Sequence, residues 1–207
     1  MKGTTQAVFA TLFRRRPELE ACREAVMAAF GAMLETYREG GKVVVCGNGG
    51  SAADAEHIVG ELLNKFKKKR PLPAGLAARL PPSLATRLEG SLAAVSLVSM
   101  TGVMSAAAND IGWDAAFAQQ LVGLGRAGDA FIAISTSGNS ANCVAAAHVA
   151  KALDMRTIAF TGEKESTLSK ICDVALRVPE TETFRVQELH LSVYHAICAA
   201  LEEELFG

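Results

Sequence analysis

No C-x-x-C pair occurs among the five cysteines, Cys22, Cys46, Cys143, Cys172 and Cys198. Their odd number and scatter argue against a disulfide framework and fit reduced thiols, core residues of a cytoplasmic protein. Neither sign of charge is in excess: the net charge is −1 and the isoelectric point is near 6.4. That excludes the global basic surface by which a protein holds nucleic acid or an anionic membrane. The basic runs Arg14-Arg15-Arg16 and Lys67-Lys68-Lys69-Arg70 are local and read as solvated faces. There is no secretory pattern, because the arginines follow the first apolar residues instead of preceding them. The longest uncharged stretch, Gly90 to Ala108, contains Ser91, Ser96, Ser99, Thr101, Gly102 and Ser105. It divides better into a buried strand over 92–98, a polar turn and a short helix than into a membrane span.

What is present is a chain of 207 residues, 50% hydrophobic, enough to bury one full core. Leu19, Cys22, Val26, Phe30, Met33 and Tyr37 recur at helical spacing, and Gly40-Gly41 ends that run. Apolar strands are then expected over 42–46, 92–98, 129–134, 156–160 and 173–178, each followed by a helix, the last over about 184–205. Five strands alternating with helices predict an α/β protein, a doubly wound parallel sheet covered on both faces, with ligands beyond the C-terminal strand ends. The segment from Lys67 to Gly90 breaks the rhythm with Pro71, Pro73, Pro81 and Pro82, and reads as an inserted loop with one or two short helices, serving as a lid or a subunit contact.

Two turns stand out. After the strand ending at Ile134 comes Ser135-Thr136-Ser137-Gly138-Asn139-Ser140, leading into a helix. Backbone N–H groups, hydroxyls and a helix dipole aimed at one point form an anion cradle, and the absence of lysine or arginine suits a metabolite phosphate that must also leave. An ordinary N-cap would use the same residue types. Gly47-Asn48-Gly49-Gly50-Ser51 holds the equivalent place one strand earlier. It does not match G-x-G-x-x-G, which argues against a dinucleotide.

His57 and Glu61 are four apart on the helix after the glycine turn, and Gln187 and His195 are eight apart on the last helix. Such residues could ligate a divalent metal or divide acid and base work, or they could be a solvent-facing pair and a core histidine.

Cys46-Gly-Asn-Gly-Gly-Ser-Ala-Ala-Asp-Ala-Glu-His57, Ala108-Asn-Asp110, Ser135-Thr-Ser-Gly-Asn-Ser140 and Arg185-Val-Gln-Glu-Leu-His190 through His195 together resemble the sugar isomerase (SIS) superfamily, and within it the isomerases of heptose phosphates. The resemblance implies one SIS domain over 1–207 with N-terminal helices to about residue 40, while the inserted segment over about 67–90 departs from it by being longer than the corresponding family stretch. The implied fold is a three-layer, five-stranded parallel sheet. The implied reaction interconverts sedoheptulose 7-phosphate and D-glycero-D-manno-heptose 7-phosphate through an enediol, for bacterial surface polysaccharide. By the same resemblance Ser135, Thr136, Ser137 and Ser140 bind the phosphate. Asn48, Gly49, Gly50, Ser51, Asp110 and Gln187 contact the sugar. Glu61 and His195 are base and acid, and His57, Glu61, Gln187 and His195 hold one Zn²⁺ per subunit of a homotetramer.

Phe184 departs from the pattern, standing where some heptose isomerases carry Asp, so that Glu182 or Thr183 could substitute. A binding-only relative, the replication initiator-associating protein, lacks the acidic residue matching Glu61 and the histidine matching His195; both are present here. An isomerase of the same fold for another phosphosugar is the remaining alternative.

Overall fold

The computed structural model describes residues 1–207. The chain opens with α1 (Gly3–Arg15), a 3₁₀ turn (Pro17–Cys22) and α2 (Arg23–Arg38). The helix expected from Leu19 is thus divided. Pro17 disfavours helical backbone at Arg16, and regular α-helix resumes only at Arg23. Then follow β1 (Val43–Gly47), α3 (Gly50–Leu63), the short α4 (Ala74–Ala77) and α5 (Pro82–Ala85), β2 (Ala94–Ser96), α6 (Thr101–Asp110) and α7 (Ala116–Leu124). The chain closes with β3 (Ala130–Ile134), α8 (Ala141–Ala152), β4 (Arg156–Thr161), α9 (Thr167–Ile171), β5 (Val174–Arg177) and α10 (Thr183–Phe206). No helix is long and apolar enough to cross a membrane.

All five strands are parallel, in the order β2-β1-β3-β4-β5. The chain goes from β1 outward to β2 and then crosses to the other side of β1, so the order reverses between β1 and β3. Both turns singled out in the sequence leave the sheet at that switch point, where adjacent crossovers diverge and open a crevice. β2 is shorter than the expected 92–98: as an edge strand it pairs with β1 alone, and after Leu97 donates to the Val45 carbonyl the chain turns at Ser96–Ser99.

Strand alternation sorts the core into two layers. Val43, Val45, Ala130, Ile132, Ile134, Ile158 and Phe160 face α1, α2, α3 and α10, while Val44, Cys46, Phe131, Ala133 and Ala159 face α7, α8 and α9. Burying each of the larger side chains stabilises the fold by about 1.5–3 kcal/mol. The small residues Ala146, Ala147 and Ala150 let α8 lie close to the sheet. Cys22, Cys46, Cys143 and Cys198 are buried and Cys172 is half-buried, all as free thiols.

The apolar stripe from Leu19 to Met33 is spent within this chain, since Leu19, Cys22, Val26, Phe30 and Met33 all belong to the first layer. The basic run at 67–70 also differs from a solvated face. Arg70 is completely buried, and Lys68 pairs with Glu203.

Candidate active site

The first half of the site is the turn from β3 into α8. Ser135 is buried, its hydroxyl 2.9 Å from that of Ser140, and the Ser135 N–H donates to Phe160 O. Gly138 has φ +66°, and a side chain there would collide with Ser166, so the position admits only glycine. Asn139 accepts from the N–H (3.0 Å) and the hydroxyl (2.9 Å) of Thr167, which pins the turn to α9. With its frame fixed in this way, the N–H groups of Thr136, Ser137, Ser140 and Ala141 find no acceptor within the protein. Four donors and the hydroxyls around them at the start of a 12-residue helix match an anionic oxygen cluster.

The glycine turn lies beside it. Asn48 and Asn142 exchange two amide hydrogen bonds of 2.9 and 2.8 Å, which join the turn after β1 to the first turn of α8. Asn48 therefore braces the crevice as well as facing it. Gly49 bends the chain into α3, and Ser51 is buried in its first turn. A Cβ on Gly50 would stand 2.6 Å from the Gln187 side chain, so glycine is what allows α10 to approach here. A cleft of about 250 Å³ opens between Asn48, Gly49, Glu56, Met104 and Trp113. Asp110, at the exposed end of α6, accepts from Asn109 at 2.8 Å and makes no hydrogen bond to the other candidate residues.

Further along, α3 and α10 bring the second half together. His57 Nε2 is 3.1 Å from Glu61 Oε1 and 3.3 Å from His195 Nε2. One ligand atom from each of the three residues falls within 4.8 Å of the others. Phe66 covers His195 on one side, the ring centroids 5.3 Å apart. The cluster is half-open, with the His57 side chain 42% and that of Glu61 22% exposed. Burial, and then the neighbouring His57, lower the pKa of His195, while Glu61 opposes this. The neutral imidazole is the form that ligates a metal. Gln187 does not join the other three. It sits against Gly50, eight residues before His195 on the same helix, ~12 Å along the axis at ~1.5 Å per residue.

Two residues beside the cluster escaped the sequence reading. Tyr194 donates to Asp54 Oδ1 at 3.1 Å and lies 2.9 Å from His57 Nδ1. Burial raises the pKa of Asp54, and burial together with Asp54 raises that of Tyr194. The signal available in sequence was positional: Asp54 precedes His57 by three residues, one helical turn, and Tyr194 adjoins His195.

A doubly wound sheet with a turn of free N–H groups and hydroxyls at its switch point, and a histidine–carboxylate cluster further along α3, defines a protein of the sugar isomerase (SIS) class. The SIS domain model matches residues 11–96 and 90–162. The phosphoheptose isomerase of Roseiflexus sp. (strain RS-1) is 38% identical over 192 residues, 93% of this chain and 88% of that protein. That of Neisseria gonorrhoeae (strain NCCP11945) is 39% identical over 203 residues, 96% and 93% respectively. The chain belongs to the phosphoheptose isomerase family. The solved phosphoheptose isomerase of N. gonorrhoeae superposes with a TM-score of 0.75 at 37% identity, covering 96% of both chains. That of Francisella tularensis superposes with 0.77 at 30% identity, covering 98% of this chain and all of that one.

Proposed function

We propose that this protein interconverts sedoheptulose 7-phosphate and D-glycero-D-manno-heptose 7-phosphate, a cytoplasmic step toward bacterial surface polysaccharide. The observation that carries this reading is the convergence of His57, Glu61 and His195 on one side of α3, whose other end meets the anion cradle. Ser51 opens that helix, and His57 and Glu61 follow ~9 and ~15 Å along its axis. Such spacing suits an elongated ligand with its phosphate at one end and its reacting carbons at the other.

In the ketose-to-aldose direction Glu61 removes a proton from C1 as His195 protonates the C2 oxygen, giving an enediol. Glu61 then returns a proton to C2 while the C1 hydroxyl loses its own and becomes the aldehyde. Thr136, Ser137 and Ser140 hold the phosphate, which fixes the register of the reacting carbons. Two imidazole nitrogens and a carboxylate oxygen are a donor set that fits Zn²⁺, which His57, Glu61 and His195 would hold, with Glu61 serving as ligand, as base, or as each in different states. When bound, the ion supplies Lewis-acid stabilisation of the developing oxyanion. A homotetramer is the assembly proposed.

The test is turnover of sedoheptulose 7-phosphate in D₂O, followed by NMR. Aldose 7-phosphate carrying solvent deuterium at C2 is expected, and Glu61→Gln or His195→Ala should lower kcat by on the order of 10²–10⁴. Absence of conversion, or full activity in Glu61→Gln, overturns the assignment.

A further inference from the structure

Behind the His57, Glu61 and His195 cluster lies a chain of polar atoms that the reaction just described does not use. We propose that Tyr194 and Asp54 are positioning residues that lock His57 in the tautomer protonated on Nδ1, so that the lone pair of Nε2 faces Glu61 and His195. Tyr194 is 2% exposed and has a single hydroxyl proton. It gives that proton to Asp54 Oδ1 at 3.1 Å. The hydroxyl oxygen can then only accept from His57 Nδ1, 2.9 Å away. The direction of the relay runs from imidazole to phenol to carboxyl.

On the far side of the ring, Nε2 of the neutral imidazole is consequently an acceptor. Yet it stands 3.1 Å from Glu61 Oε1, another acceptor. Two facing lone pairs at that distance repel unless positive charge lies between them, and His195 Nε2 at 3.3 Å can offer its own lone pair to the same point. The relay thus makes the cluster a preformed cation site. Without it, a proton on Nε2 would satisfy Glu61 directly and occupy the position a metal needs. A fixed partner on the second ring nitrogen of a ligating histidine is typically worth 10- to 100-fold in metal affinity. Tyr194 supplies the one hydrogen bond this carboxyl makes, to Oδ1, while its Oδ2 is buried.

The tautomer assignment stands on geometry alone, and its consequence for metal affinity rests on the reading of the site given above. The full-length metal-free protein, labelled with ¹⁵N-histidine, is compared with Tyr194→Phe and Asp54→Asn by imidazole ¹⁵N NMR above pH 8. The His57 signals are identified by their loss in His57→Gln. Wild type should show a protonated Nδ1 and a pyridine-type Nε2, with population moving to Nε2–H in Tyr194→Phe. Asp54→Asn, whose amide can donate to the phenol and reverse the relay, should shift it the same way. Zn²⁺ titrated calorimetrically should bind Tyr194→Phe 10- to 100-fold more weakly. A wild-type His57 protonated on Nε2, or unchanged tautomers in both variants, overturns the proposal. Failure of wild type to bind Zn²⁺ with the tautomer as assigned overturns the metal reading instead.

Discussion

His190 is a buried imidazole with one partner: Nε2 donates to the Thr161 carbonyl at 3.2 Å, and Nδ1 has none. Phe160 packs its edge against the ring, and burial pulls the pKa down to about 4, so the folded protein holds this side chain neutral. The unfolded chain takes up the proton below the ordinary value near 6.5. The contribution of His190 is therefore fully present above about pH 6.5 and is lost as pH falls toward 4, by about 3 kcal/mol in all. Glutamine can make the same bond to Thr161 without titrating. Between pH 7 and pH 5, urea denaturation should show wild type losing about 2 kcal/mol more than His190→Gln. Equal losses would mean that some other group governs acid sensitivity.

At the scale of elements, the decisive joint is the C-terminal end of α3, the helix that carries His57 and Glu61. Its last carbonyls, those of Glu61 and Leu62, accept from Arg70 at 2.8 and 2.6 Å. Arg70 is in turn paired with Glu202 of α10 at 2.9 Å, both side chains essentially unexposed. The Glu202 carboxylate also accepts from the N–H groups of Phe66, Lys67 and Lys68. One ion pair thus caps α3, anchors the start of the insertion and docks both to α10. Breaking a buried pair leaves an uncompensated charge, so Arg70→Met should cost about 3–5 kcal/mol in chemical denaturation. A loss below about 1 kcal/mol would show that the three N–H donors, or water, suffice to hold the Glu202 charge.

For the whole molecule, the question is what covers the surface the chain leaves apolar. Val103, Ile111 and Trp113 are 46%, 54% and 49% exposed around α6, and Leu76, Leu84 and Leu88 of the insertion are 40%, 39% and 44% exposed. The apolar stripe Leu19 to Tyr37 led to the expectation that the N-terminal helices pack between subunits, but Leu19, Cys22, Val26, Phe30 and Met33 fill the core of their own chain and are not free for a contact. Subunit contact through α6 and the insertion is expected instead. Light scattering should give about four times the chain mass of 21.8 kDa. A monomeric mass at micromolar concentration would remove the tetramer.

The sequence by itself determined the parallel sheet, since five apolar runs alternating with helices have few other ways to bury both faces. It also located the Ser135–Ser140 cradle and the His57 and Glu61 pair, because both are local: a turn joined to its helix, and two residues four apart on one face. Tertiary structure decided which distant groups meet. Helical spacing places His195 on α10 but does not say which turn of α3 it will face, and packing set it opposite His57 while leaving Gln187 at Gly50. Arg70, read locally as part of a basic surface run, became the most deeply buried charge because Glu202, 132 residues away, supplies its partner. In sequence, Tyr194 is marked only by standing next to His195. Its role as a link between Asp54 and His57 exists only where α3 and α10 lie side by side, since a hydrogen bond depends on distances of a few tenths of an ångström that no spacing along a chain encodes.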